Sequence, residues 1–464
     1  MHWKLLLFYF LGIILGVGYP YSMFSHHNLF LGFLIAFYFV SQVVLATINY
    51  SRMSQAILTI ENRASDTLPG VSLLIVGYRE NPDYWKNCIE SILQSEYPQI
   101  KSIIAMIDGD EEEDVYMKDI FEETCLEHCK LDCVARARLL PHRGKRFAME
   151  AGFRHILESN KENEYIIVID SDTILEKQSI QNLVACMESN LEMGCATGNI
   201  GIFNKNNWLA RIIHARYAYA FTLERSAMAA VGVMNCCSGP FSIYRQAFID
   251  SSFLEEFITQ KFMGKLVGPG DDRHATLLLM ARGHLSGQTP FAIATTETPD
   301  TFHRYFQQQL RWMRSFYREQ FWQIRAIPTQ HPYLMVITLY ELFFPFFLFF
   351  SMPITFQLIP SHTVLWERFS VTLFVLCMRT VILLLFNNRR PEYLWNLCLF
   401  PIYMCGLFPI KMYALMTCGV QGWITSSRKT VFSQCHPDIA MIYISILLWN
   451  GYIGYMIYNY VMMH

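Results

Sequence analysis

Tyr165-Ile166-Ile167-Val168-Ile169-Asp170-Ser171-Asp172 is an apolar, β-branched run that stops on two carboxylates one residue apart. Residues of that kind in so short a run predict a buried strand. Two similar runs precede it. Ser72-Leu73-Leu74-Ile75-Val76 leads into Gly77-Tyr78-Arg79-Glu80, and Ile103-Ile104-Ala105-Met106-Ile107 ends in Asp108-Gly109-Asp110. Helical patterns open between them, one at Pro82 and running through Gln94, another from Lys145 to Leu157. Short strands alternating with helices predict an α/β fold with a mainly parallel sheet covered by helices. Ligands of such sheets sit beyond the carboxyl ends of the strands, so the three polar endings are expected to converge on one site.

Composition adds a second region. The chain has 464 residues, of which 53% are hydrophobic and 16% charged, too apolar for an ordinary soluble enzyme of two domains. The apolar residues collect in Leu5–Tyr19 and Leu29–Ile48, then in Tyr333–Leu358, Phe369–Phe386, Leu394–Leu415 and Met441–Met462. A helix of about 20 residues crosses a bilayer, and most of these runs are that long. The first run lacks a small-residue cleavage site after it, which favours two spanning helices over a signal peptide. The stretch from Pro69 to Arg325 holds nearly all the acidic residues and reads as one globular domain. A net charge of −2 without a basic stripe gives no reason to expect a nucleic-acid partner. Cys125, Cys129 and Cys133 lack the paired C-x-x-C spacing of structural zinc, and read as reduced thiols in a cytosolic domain.

Four motifs carry chemistry. Asp170-Ser171-Asp172 at a strand end suits a divalent cation together with the ribose or pyrophosphate of a nucleotide, although Asp and Ser also build plain turns. Arg143-Gly144-Lys145-Arg146 opens a helix, where cations and backbone N–H groups neutralise a diphosphate. In Gly270-Asp271-Asp272-Arg273-His274, a carboxylate is available as the base that glycosyl transfer needs, while the pair equally suits a helix start. Gln308-Gln309-Leu310-Arg311-Trp312 places Gln308, Arg311 and Trp312 on one helix face, with an indole to stack on a sugar and polar donors for its hydroxyls. Asn235-Cys236-Cys237-Ser238-Gly239-Pro240 predicts a tight turn near the acceptor path.

From about Leu68 to the last apolar run, the chain resembles the hyaluronan synthases, membrane-embedded processive family 2 glycosyltransferases related to chitin and cellulose synthases. The resemblance is carried by Asp108-Gly109, Asp170-Ser171-Asp172-Thr173, Cys236-x-Ser238-Gly239-Pro240, Gly270-Asp271-Asp272-Arg273-His274, Thr296-Glu297-Thr298-Pro299, Gln308-Gln309-Leu310-Arg311-Trp312 and Trp423-Ile424-Thr425-Ser426-Ser427-Arg428-Lys429. It implies a GT-A-type glycosyltransferase domain fused to an α-helical transmembrane domain. Residues 1–50 would be a pair of transmembrane helices, 51–299 the cytosolic GT-A domain, and 300–332 interfacial helices. Residues 333–387 would form a second transmembrane pair, 388–437 an interfacial or re-entrant segment with a gating loop, and 438–464 the last transmembrane helix.

The same resemblance implies roles. Tyr78, Glu80, Asp108, Lys145, Asp170, Arg311, Trp423 and Arg428 would contact the UDP-sugar, and Asp172 would hold Mn²⁺ or Mg²⁺. Asp272 would be the general base, with Cys236, Gln308 and Trp312 around the acceptor. The implied partners are UDP-GlcNAc, UDP-GlcA, the growing polysaccharide and the lipid bilayer of the plasma membrane, with no obligatory protein partner. The family's gating loop carries Gly after its Trp where this chain has Ile424, and vertebrate-type members have one further spanning helix.

The positive-inside rule asks that Arg389-Arg390 and Arg428-Lys429 be cytosolic. That is met if Leu394–Leu415, which contains Pro401, Pro409 and Lys411, does not cross, which leaves five crossings with the C-terminus outside. Glu341 and Arg379 fall in consecutive predicted spans and would either line a channel or pair with each other. Rival readings are a synthase of chitin or chito-oligosaccharide using UDP-GlcNAc alone, a nucleotide-binding membrane transporter or receptor, and a non-processive transferase onto a lipid carrier.

Overall fold

The structure, a computed structural model, describes residues 29–128, 133–159, 163–342, 362–420 and 437–463. The apolar run Leu5–Tyr19, most of Tyr333–Leu358, and the Trp423–Lys429 segment lie outside the described residues.

The strands are β1 (Val71–Gly77), β2 (Ile100–Asp108), β3 (Val134–Leu140), β4 (Tyr165–Asp170), β5 (Ile174–Leu175), β6 (Met193–Ile202), β7 (Phe241–Arg245), β8 (Lys261–Phe262), β9 (Lys265–Leu266) and β10 (Leu285–Thr296). Eight of them form one sheet in the order β3-β2-β1-β4-β7-β6-β10-β5, while β8 and β9 make a separate hairpin. The pairs β2–β3, β1–β2, β1–β4 and β6–β10 are parallel. The sheet is mostly parallel, as expected from the three apolar runs, and the fold is GT-A-like, as the resemblance implied. Val76 lies opposite Asp170, and Gly77 opposite Ile107, so Tyr78, Asp108 and Ser171 leave the sheet along one edge.

Strand β7 runs antiparallel to both of its neighbours, which the run pattern did not foretell. The reversal matters because an antiparallel strand brings its start to the edge where its neighbours end. Ile169 pairs with Phe241, and the Asp170 N–H donates to the Pro240 carbonyl at 3.3 Å. The Cys236–Pro240 loop is thereby set against the end of β4.

Alternating side chains build a core on each face of the sheet. Leu73, Ile75, Ile103 and Ile167 pack with Trp85, Ile89 and Phe121 on one face. Leu74, Ile104, Ile166 and Val168 pack with Phe153, Phe253 and Phe257 on the other.

The second predicted spanning helix runs past its expected end, covering Leu29–Glu61. Its far half packs against the sheet domain. Asn49 donates to the Gln288 carbonyl at 3.0 Å, Arg52 to the Ala230 carbonyl at 2.7 Å, and Met53 is buried in the core. Among the described residues two helices, Pro391–Met416 and Asp438–Asn459, are long and apolar enough to cross a membrane, and Tyr333–Leu342 and Leu373–Phe386 are shorter apolar helices. The first of them changes its winding along its length. A 3₁₀ stretch over Pro391–Cys398 passes into α at Leu399–Ile402, π over Tyr403–Leu407, and α again over Phe408–Met416.

Candidate active site

At the edge of the sheet the β2 ending is already engaged. The Asp108 carboxylate accepts the N–H groups of Arg143 at 2.9 Å and Gly144 at 3.0 Å, with His142 Nδ1 also 3.0 Å away. The Asp108 carboxylate thus holds the two residues that lead into the helix Lys145–Ser159. Tyr78 stacks on the His142 ring, with 4.3 Å between centroids. Glu80 is buried and accepts from Ser171 Oγ at 3.0 Å, which ties the ends of β1 and β4 together.

Lys145, which lines the same edge, is paired with two carboxylates. Its Nζ lies 2.5 Å from Asp170 and 3.5 Å from Asp271. Burial pulls its pKa down most strongly, but the attraction of Asp170 and Asp271 outweighs that and holds the ammonium charged. Asp172 accepts from Thr296 Oγ1 at 3.0 Å. Its pKa is pushed up to about 7, by burial first and then by the neighbouring Asp170.

Asp271 and Asp272 occupy the first turn of the helix Asp271–Ala281 rather than its cap, which is Gly270 with φ of 100°. Asp272 Oδ2 accepts the Gly239 N–H at 3.4 Å and faces Cys236 Sγ at 3.6 Å. The candidate base and the Cys236–Pro240 loop therefore touch. Burial, then Asp272, pushes the Cys236 thiol up to about 12, so it stays protonated at neutral pH.

The long helix Phe302–Ala326 carries Gln308, Arg311 and Trp312 into the same space, with Trp312 40% exposed. One cavity of 1660 Å³ is lined by Tyr78, Glu80, Asp108, Lys145, Asp170, Asp172, Cys236, Asp272, Gln308, Arg311 and Trp312. It continues to Tyr340, Glu341, Leu407 and Lys411 on the apolar helices. Of the residues expected at the site, Trp423 and Arg428 lie outside the described residues. Glu341 and Arg379 do not meet. Glu341 approaches Asn235 at 3.4 Å, and Arg379 faces Glu224 at 3.7 Å.

The profile of the glycosyltransferase-like family 2 matches residues 69–315, which take in the whole sheet and the aspartates. The chain belongs to that family. Hyaluronan synthase 2 of Homo sapiens is 29% identical over 458 residues, with 89% of this chain and 80% of that protein aligned. Hyaluronan synthase 3 of Mus musculus is 28% identical over 451 residues, with the same coverage of each chain. Among solved structures, the mannosyltransferase PcManGT from Pyrobaculum calidifontis, in complex with GDP-Man and Mn²⁺, covers 76% of this chain and 97% of that one. It does so at 13% identity and a TM-score of 0.47, too slight a likeness to argue from.

In this family 2 glycosyltransferase several supporting residues carry no local sequence signal. Glu319 is fully buried below the aspartates, 3.0 Å from His274 Nδ1, and it accepts from Gln260 at 2.7 Å. Arg225, which follows a π-wound stretch over Ala220–Glu224, supports the Cys236–Pro240 loop. Among the described residues no group of three or more His, Cys, Asp or Glu is placed to hold a metal unaided. The donor set still fits Mg²⁺ or Mn²⁺, which commonly take one or two carboxylates and fill their remaining positions from water and substrate phosphate. A cation beside Asp172 would offset the crowding by Asp170.

Proposed function

We propose that this glycosyltransferase polymerises UDP-GlcNAc and UDP-GlcA into hyaluronan at the cytosolic face of the plasma membrane and passes the chain outward through its own helices. The cavity carries this reading: the strand-end carboxylates, Asp272 and Trp312 line it together with Tyr340, Glu341 and Lys411 on the apolar helices. The similarity to hyaluronan synthases over 89% of the chain supports it.

In this mechanism the UDP-sugar lies at the ends of β1, β2 and β4. Asp172 would hold a divalent cation, which supplies positive charge to the departing diphosphate. Lys145, kept charged by its two aspartates, adds to that field. Asp272 takes the proton of the acceptor hydroxyl as the oxygen attacks the anomeric carbon from the side opposite UDP, so an α-linked donor gives a β-linkage. Gly239 N–H and Cys236 orient the base, and the Trp312 indole offers a flat face to the acceptor ring. For the membrane region we propose five crossings, with the segment of changing winding after Arg390 lying at the interface.

Purified full-length protein supplied with each UDP-sugar alone and then with both tests the proposal. Polymer is expected only with both donors, and a product made from UDP-GlcNAc alone would reject it.

A further inference from the structure

Several cations of this cavity are already matched by carboxylates. Lys145 faces Asp170 and Asp271, Arg79 faces Asp114 at 2.9 Å and two glutamates besides, and Arg216 faces Glu224 at 2.9 Å. Arg225 forms no ion pair among the described residues, as is also true of Arg143, Arg273 and Lys411 in the same lining, and of these it is Arg225 that holds the Cys236–Pro240 loop. Its Nη1 donates to the Cys236 carbonyl at 3.3 Å and to Ser238 Oγ, and its guanidinium lies 4.2 Å from the Phe221 ring centroid. It is half-buried and lines the cavity.

Two contacts made by one Nη leave most of a five-donor fork to the cavity. A half-buried guanidinium with no carboxylate in ion-pair contact has donors to spare for an anion, and its planar fork matches a carboxylate. Its position names which anion. The loop it holds is the loop that touches Asp272, and the hydroxyl that Asp272 deprotonates belongs to the terminal sugar of the growing chain. We infer that Arg225 binds the carboxylate of a terminal uronate at the acceptor position, the contact by which the site distinguishes a uronate-ended chain from an N-acetylhexosamine-ended one. This rests on the two-donor reading above.

The test uses full-length protein whose chains have been left ending in either sugar by withholding one donor, followed by single-turnover transfer of the other. Arg225→Met is expected to slow transfer of GlcNAc onto uronate-ended chains by roughly 10- to 100-fold, the scale of a lost hydrogen bond to a charged group. The slowing of the opposite half-reaction should be at least about tenfold smaller, and Arg225→Lys should recover part of the loss. Equal slowing of both half-reactions, or a raised KM for both donors alike, would assign Arg225 to loop support or to phosphate and overturn the inference. If the unsubstituted protein polymerises UDP-GlcNAc alone, the two-donor reading falls first, before any substitution is made.

Discussion

Arg314 and Asp438 close on each other through two hydrogen bonds, of 2.7 and 3.0 Å, in a site almost wholly shielded from solvent. Tyr413 donates to the same carboxylate at 2.9 Å. One turn along, Arg318 donates to the carbonyl of Cys418 at 2.9 Å and to that of Pro269 at 3.3 Å. The helix that presents Trp312 is thus tied both to the last apolar helix and to the loop that leads into Asp271. Removing one partner leaves a buried charge uncompensated, so Asp438→Ala should cost about 3–5 kcal/mol. Denaturant midpoints of the solubilised protein measure this, and the double variant Arg314→Met with Asp438→Leu should recover much of the loss.

Asp272→Asn keeps the size of the side chain and its oxygen for the Gly239 N–H, but removes the base. UDP release should fall by about 10²–10⁴-fold, with thermal unfolding little changed. An enzyme that retains full turnover would need a different base.

Gly270 carries φ of 100°, and a Cβ there would lie 2.1 Å from Ser315 Oγ. Gly270→Ala should therefore destabilise the Asp271–Asp272 turn by more than the ~1–2 kcal/mol of backbone strain. Adding Ser315→Gly should relieve the collision and leave the strain. Comparing unfolding midpoints of the single and double variants separates the two.

His214 is buried between Lys205 and Glu392, with Arg390 and Tyr393 nearby, and its pKa is pushed down to about 4, chiefly by burial and then by Lys205. The unfolded chain binds this proton near pH 6.5 and the folded chain does not. Stability is then full above about pH 6.5 and is lost as pH falls towards 4, by roughly 3 kcal/mol for this group. His214→Gln should flatten that part of the stability–pH curve, and an unchanged slope would place the titration elsewhere.

Chelation of divalent cations should abolish UDP release, and Mn²⁺ or Mg²⁺ should restore it. Asp172→Asn should weaken the metal requirement's apparent affinity at least tenfold. Titration calorimetry of Mn²⁺ in the presence of UDP checks this independently of turnover.

Much of the site could be read along the chain. The runs ending at Tyr78, Asp108 and Asp170 are strands because β-branched residues in short apolar stretches have few other stable states, and parallel pairing brings their ends together. What Asp108 does there was not legible. Its carboxylate meets N–H groups 35 and 36 residues away, and no local pattern records that contact. Arg225 and Glu319 were missed for the same reason, since one is an arginine where a π-wound stretch returns to α and the other is a glutamate on the buried face of an amphipathic helix.

Residue pattern alone located the strands, the acidic turns, the tryptophan helix and the apolar segments, because each obeys a short-range periodicity set by backbone geometry. Which of these elements meet depended on packing. The reversed direction of β7 set Cys236 against Asp272, and buried ion pairs fastened the Trp312 helix over both. Such contacts join positions tens to hundreds of residues apart, and their energies depend on what surrounds them in space.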